Sequence, residues 1–126
     1  MREILFRAKT ASTNPEWVEG YYTFDGTHWI DYKLSIERYE YDWVSSPINP
    51  NTLGQFTGIK DKNGVKIFEG DIVIAPFLVP KMTLKLVANM EWNNRWWSFA
   101  DKLNNYCEII GNFYDNPELL EQEENK

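Results

Sequence analysis

GQFTGIKDKNGVKIFEGDIV, the stretch from Gly54 to Val73, decides the fold. Short apolar runs stand on both sides of the sequence Lys62-Asn63-Gly64. An Asn-Gly pair in this position is typical of a tight hairpin turn, because Gly64 after Asn63 can supply the positive φ that such a turn requires. The stretch therefore predicts two short strands joined by a turn, and the turn residues need no functional explanation.

A second break, Glu69-Gly70-Asp71, separates this hairpin from the apolar run IVIAPF. Gly70 permits the chain to turn a corner, and Asp71 can accept hydrogen bonds from backbone N–H groups that the corner exposes. The alternative is that Asp61, Glu69 and Asp71 converge to bind a hard cation or to perform acid–base chemistry. No histidine or further acid cluster completes such a site, so we interpret the corner as structural and predict neither a catalytic residue nor a metal ligand.

The N-terminal half predicts a β-rich lobe. The segment REILFRA, from Arg2 to Ala8, is a strand candidate. The segment EWVEGYYTFDGTHWIDY is typical of a hairpin, and a two-residue turn at Asp25-Gly26 would place Tyr22 opposite Trp29. Residues 33–43 are compatible with a short helix or a further strand. The segment at residues 45–50, which contains Ser and Pro, predicts a boundary between an N-terminal lobe of residues 1–50 and a second lobe of residues 51–126.

The C-terminal half predicts a small barrel, since five or six short strands at this spacing are typical of an SH3-like β-barrel. They include a hairpin, MTLKLVANMEWNNRWWSFAD, that turns at Asn93-Asn94, and a last strand, YCEIIGNFY. Asn116 is a natural N-cap and Pro117 fits the first helical position, so a short helix should follow. The predicted fold is mainly β, α+β at the margins: an N-terminal β lobe, an SH3-like barrel and a short C-terminal helix.

The Asn93-Asn94 hairpin also predicts a candidate interaction patch. Its register points Trp97 toward the core and sends Trp96 to the opposite, largely polar face. At the tip, Trp92 lies across from Arg95, within reach of a cation–π contact. We therefore predict that Trp92, Arg95 and Trp96 form an exposed patch. The alternative is that other parts of the chain cover Trp96.

Three blocks of the sequence resemble the YopX family of phage and prophage proteins. They are REILFRA, TGIKDKNGVKIFEGDIV (Thr57 to Val73) and IIGNFYDNPELL (Ile109 to Leu120), and together they span nearly the whole chain in the order usual for the family. The departures are mild, with Ile59 where leucine is usual and Phe113 where isoleucine is usual. The resemblance implies a β-rich N-terminal part followed by an SH3-like barrel. It implies no activity, since the family is one of unknown function.

Composition and charge restrict the possible functions. The chain has 126 residues, 16% of them aromatic, which supplies enough apolar area for a domain core. Its net charge is −6. Residues 1–52 carry five bases and eight acids, residues 53–110 seven bases and six acids, and residues 111–126 one base and five acids. Neutralising phosphate takes a concentrated basic surface, so we disfavour nucleic acid as a partner.

Reactive side chains are few. His28 is the only histidine and lacks the partners of a triad or a zinc site, and Cys107 is the only cysteine, so it cannot form an internal disulfide. No cofactor-binding motif occurs. The chain shows no signal peptide and no apolar run long enough to cross a membrane, so we expect a soluble protein in the cytoplasm of a bacterial host.

These observations favour a phage- or prophage-encoded accessory protein that is not an enzyme, uses no cofactor and acts by binding. Its expected partner is an unknown protein or a second copy of itself. The runner-up hypothesis is a nucleic-acid-associated protein whose barrel aromatics stack bases. A third hypothesis is an enzyme that uses the acids around Gly70.

Overall fold

The computed structural model describes residues 4–36, 39–77, 82–90, 96 and 102–121. The chain divides into two compact units, Met1–Phe56 (unit 1) and Thr57–Lys126 (unit 2). The sequence predicts a boundary after residue 50 instead. The difference arises because the segment at residues 45–50 is not a linker: Ser45, Ser46 and Pro47 belong to a strand, and Gly54 and Gln55 pair with the first strand of unit 1.

The described residues include nine strands and little helix, so the mainly β prediction is confirmed. The strands are β1 Phe6–Lys9, β2 Trp17–Phe24, β3 His28–Ile36, β4 Tyr39–Pro47, β5 Gly54–Lys60, β6 Lys66–Phe68, β7 Asp71–Phe77, β8 Met82–Val87 and β9 Glu108–Asn112. A 3-10 helix spans Pro50–Thr52, and the predicted C-terminal helix spans Glu118–Glu121. The segment left open at residues 33–43 contributes to two strands, β3 and β4.

Unit 1 is an antiparallel sheet with the strand order β4-β3-β2-β1, and the first residues of β5 pair with β1. One face of this sheet is the core of the unit. Alternate residues along each strand point to the same face, and these positions are apolar. The buried members are Ala8, Val18, Ile30 and Ile48, against which Phe6, Tyr22, Tyr32 and Leu53 pack.

The register of the β2–β3 hairpin differs from the prediction by one residue. Tyr22 pairs with Ile30 rather than with Trp29, and Phe24 pairs with His28. The cause is a three-residue loop, closed by the Asp25 N–H donating to the Thr27 carbonyl at 3.2 Å. Side chains alternate between the two faces of a sheet. A register shift of one residue therefore changes which aromatic residues of the two strands share a face.

Unit 2 contains the hairpin of β5 and β6 and a three-stranded antiparallel sheet with the order β8-β7-β9. Neither sheet closes on itself in the part of the chain that the structure describes, so the SH3-like barrel is not confirmed. The predicted Asn93-Asn94 turn lies outside the described residues, but the strand expected after it is not found at Trp96, whose backbone is helical. The backbone of Lys102 and Leu103, beyond the predicted strand, is helical too.

The core of unit 2 collects side chains from its strands and from this helical region. Its buried residues are Ile67, Val73, Ala75, Leu86, Ala88, Trp96, Leu103 and Cys107. Trp96 and Leu103, both with helical backbone, lie in this cluster together with the strand residues. They therefore share one apolar core with the sheet.

Cys107 should be inert to thiol reagents in the folded protein. It is buried in the unit 2 core, and this burial raises the pKa of the thiol to about 11. At neutral pH the reactive thiolate is therefore scarce and shielded. We expect a disulfide exchange reagent to label the protein slowly in buffer and rapidly in denaturant. Since the chain has one cysteine, the signal reports this site alone. Rapid labelling without denaturant would contradict the buried position.

Candidate interaction surface

The structure removes Trp96 from the predicted patch. Its side chain is 1% exposed and lies in the unit 2 core, so the prediction that it faces solvent is wrong. The error follows from the assumed hairpin. In a strand, the side chains of Trp96 and Trp97 would point to opposite faces of the sheet. The backbone found at Trp96 is helical, so its side chain points in a different direction. Trp92 and Arg95 lie outside the described residues.

The residues predicted for the turn and the corner have backbone roles. Gly64 has a φ of +81°, which confirms the positive φ expected there, and Gly70 at the corner has a φ of +93°. Asn63 contributes its N–H, which donates to Asp61 Oδ1 at 2.9 Å, and the N–H of Val65 donates to the same oxygen at 2.9 Å. This carboxylate organises the turn.

The corner carboxylates are engaged in the same way. Asp71 is buried, and its Oδ2 accepts a hydrogen bond from the Phe68 N–H at 2.8 Å. Glu69 Oε2 accepts from the Met90 N–H at 3.3 Å. No three His, Cys, Asp or Glu side chains within the described ranges are placed to hold a metal ion. These hydrogen bonds show that Asp61, Glu69 and Asp71 stabilise the backbone of the turn and the corner.

The side chain of Asn116 makes a different hydrogen bond from the predicted N-cap bond. Its side-chain Oδ1 accepts from the Asn112 N–H at 3.1 Å, so the amide fixes the turn after β9. The backbone carbonyl of Asn116 accepts from the Leu119 N–H at 3.1 Å, and that of Pro117 accepts from the Leu120 N–H at 3.1 Å. The two residues start the C-terminal helix through their main chain, and the predicted side-chain cap is replaced by a contact to the preceding turn.

The candidate interaction surface is the second face of the unit 1 sheet, opposite the face that forms the core. It is shared by odd-numbered residues of β1, of β2, of β3 up to Lys33 and of β4 from Trp43, since Lys9 pairs with Trp17, Tyr21 with Asp31, and Lys33 with Trp43. Two large aromatics on it are more than half exposed, Tyr21 at 54% and Trp43 at 55%. We call this surface the aromatic face and define it by its aromatic and charged residues: Arg7, Lys9, Trp17, Glu19, Tyr21, Trp29, Asp31, Lys33 and Trp43.

Contacts between side chains organise the aromatic face. The rings of Tyr21 and Trp43 lie 5.8 Å apart between centroids, although β3 separates their strands. The Lys33 ammonium lies 5.3 Å from the centre of the Trp43 ring. On the other side of the face, the Arg7 guanidinium lies 4.7 Å from the centre of the Trp17 ring. These contacts restrict the motion of the aromatic side chains.

Acids alternate with these cations. Arg7 pairs in register with Glu19, and Asp31 accepts a hydrogen bond from Ser45 Oγ at 2.6 Å. At the end of the sheet, Asp25 accepts from Trp29 Nε1 at 2.9 Å and from the Thr27 N–H, and these bonds lower the pKa of that carboxyl. The strands thus bring three bases and two acids to the face, which is nearly neutral in a chain of net charge −6.

The sequence reasoning missed this face, although one signal of it was present. In WVEGYYTF, the small or apolar residues Val18 and Gly20 occupy even-numbered positions. The odd-numbered positions, which face the other side of a strand, hold Trp17, Glu19 and Tyr21. Mixed aromatic and charged residues at alternate positions indicate a strand face that points outward. The position of Trp43 beside Tyr21 had no such signal, because it depends on how three strands pair.

Comparison with known proteins identifies a family and nothing finer. A family model described as YopX protein matches residues 5–121, nearly the whole chain. Neither the curated proteins nor the solved structures contain a significant match. In the part of the chain that is described, no helix is sufficiently long and apolar to cross a membrane.

Proposed function

Because the chain belongs to the YopX family, we propose that it is a phage- or prophage-encoded accessory protein that acts in the bacterial cytoplasm by binding another protein or a second copy of itself. The three sequence blocks shared with phage and prophage proteins support the first part of this proposal. The aromatic face of unit 1 supports the second, and it supplies the binding surface.

A single observation carries the binding proposal: Tyr21 and Trp43 are more than half exposed, in contact with each other and beside Lys33. Water solvates such a cluster poorly, and exposed aromatic groups of this kind mark interaction sites. Tyr, Trp and Arg are also the residues that contribute most to binding energy in protein interfaces. Their contacts within the folded protein reduce the entropy that would be lost on binding.

The same face is less suited to nucleic acid. Its cations are interleaved with Glu19 and Asp31, and Arg7 and Lys33 already occupy ring faces on which bases would stack. A single-strand binding groove needs a continuous positive path along the phosphates. The observations therefore favour a protein partner.

Capture from a lysate of a prophage-bearing bacterium tests the proposal. The wild-type chain and the double variant Tyr21→Ala/Trp43→Ala are immobilised, and retained proteins are identified by mass. We expect at least one protein to be retained by the wild type and lost with the double variant. Tyr106→Ala is the matched control, because Tyr106 is 55% exposed but belongs to unit 2. Equal retention by all three chains would exclude the aromatic face as the binding surface.

A further inference from the structure

We propose that the partner of the aromatic face is a second copy of this chain, bound face to face about a two-fold axis. The inference rests on the proposed function and specifies its partner. A sheet with one face in a core and the other rich in aromatics usually covers the second face with another layer. In a two-fold interface the same patch serves both copies, so it must be complementary to itself.

The charges of the aromatic face meet that requirement. Cations and acids occupy neighbouring positions, as in the register pair of Arg7 with Glu19, and Lys33 and Asp31 lie two residues apart on β3. Under a two-fold rotation, cations of one copy can approach acids of the other. The excess negative charge of the chain lies outside this face, because the chain carries −6 and the face holds three bases against two acids. Contact through this face therefore brings less like charge together than the average of the remaining surface would.

The size of the face agrees with a dimer of modest affinity. Four strands about 4.8 Å apart and seven residues at about 3.3 Å each give an outline of roughly 20 by 23 Å, about 450 Å² before side-chain relief is counted. A standard interface buries about 800 Å² on each partner, so the face is little more than half that size, in the range of weak, transient complexes. We therefore expect a dissociation constant in the micromolar range rather than a permanent dimer.

Sedimentation velocity of the purified chain over a hundredfold range of concentration provides the first test. We expect a shift from monomer to dimer as concentration rises. Tyr21→Ala and Trp43→Ala should each weaken the association at least tenfold, whereas Tyr106→Ala should leave it unchanged. Thermal melting of each variant checks that the fold is retained.

A charge exchange provides the second test. Lys33→Glu makes the face more negative and Asp31→Lys makes it more positive, so each variant alone should dimerise at least tenfold more weakly than the wild type. An equimolar mixture should recover association, because the two altered faces now attract each other. Recovery in the mixture is specific to contact between two such faces.

The outcomes separate this inference from the proposed function. A chain that stays monomeric at every concentration, a dimer that Tyr21→Ala and Trp43→Ala do not weaken, or a mixture that does not recover association would overturn the second-copy inference. If one of these outcomes occurs and a captured protein other than this chain is still lost with the double variant, the binding proposal stands while the second-copy inference is wrong.

Discussion

Trp96→Ala is expected to lower the free energy of unfolding by about 3–5 kcal/mol, the usual effect of deleting a buried aromatic side chain. Trp96 is 1% exposed and is among the largest fully buried side chains of the described residues. It packs in the same cluster as Leu86, Leu103 and Cys107. Small neighbours such as Ala88 cannot expand to fill the space that the indole leaves, so part of it would persist as a cavity. Urea unfolding followed by far-ultraviolet circular dichroism measures the change.

Trp43→Ala is the matched control, because it removes the same side chain from an exposed position. Its ring contacts with Tyr21 and Lys33 are on the surface, so we expect a loss below about 1 kcal/mol. A comparable loss in both variants would contradict the buried position of Trp96. The Cys107 thiol offers an independent readout, since opening of the unit 2 core in Trp96→Ala should speed its labelling.

The position of Trp96 shows where sequence reasoning failed. Aromatic residues favour strands, and Asn93-Asn94 is a plausible turn, so the segment is typical of a hairpin. A competing periodicity was present, because Trp96, Ala100 and Leu103 recur at the spacing of one helical face. Nothing local decides between these patterns. The choice depends on whether unit 2 needs a helix or a strand over its sheet, which is a tertiary requirement.

The turn and the corner were predicted because their determinants are local. Asp61 accepts hydrogen bonds from residues two and four positions later, and Asp71 accepts one from three positions earlier. Such short-range chemistry can be recognised in any sequence that contains it. The β2–β3 register failed for a related reason: Asp25 closes a three-residue loop, and the Asp-Gly pair alone did not distinguish this loop from a two-residue turn.

The aromatic face could be recognised only once the order of the strands in the sheet was known. Tyr21 and Trp43 are far apart in sequence, and their rings meet because β2, β3 and β4 are neighbours in one sheet. Strand pairing of this kind is a non-local property, and the segment containing Trp43 was compatible with a helix. The sequence could indicate that aromatics were numerous, but only the topology shows which of them gather on an outward surface.

Gly70→Ala is expected to lower the free energy of unfolding by about 1–3 kcal/mol, the range found for a side chain held in an unfavourable backbone conformation. The φ of Gly70 is +93°, and the corner cannot relax, because its backbone is held from two sides. The Gly70 N–H donates to the Ala88 carbonyl at 2.9 Å, and the Phe113 N–H donates to the Gly70 carbonyl at 2.7 Å. Moving φ to a negative value would break one or both bonds. Urea unfolding again measures the change.

The variants Gly64→Ala and Tyr114→Ala separate the two physical causes of this loss, which are backbone strain and the contact of the added Cβ with Tyr114. At Gly64 φ is +81° and an added Cβ would meet no atom within 4 Å, so Gly64→Ala reports backbone strain alone. At Gly70 an added Cβ would lie 3.1 Å from Cε2 of Tyr114, so Gly70→Ala should cost more than Gly64→Ala. The Tyr114 ring is 36% exposed and can move away, so we expect the contact to contribute less than the strain. In a double-mutant cycle, Gly70→Ala should therefore cost slightly less when Tyr114 is alanine. If Gly70→Ala is neutral in either background, the corner does not depend on a glycine.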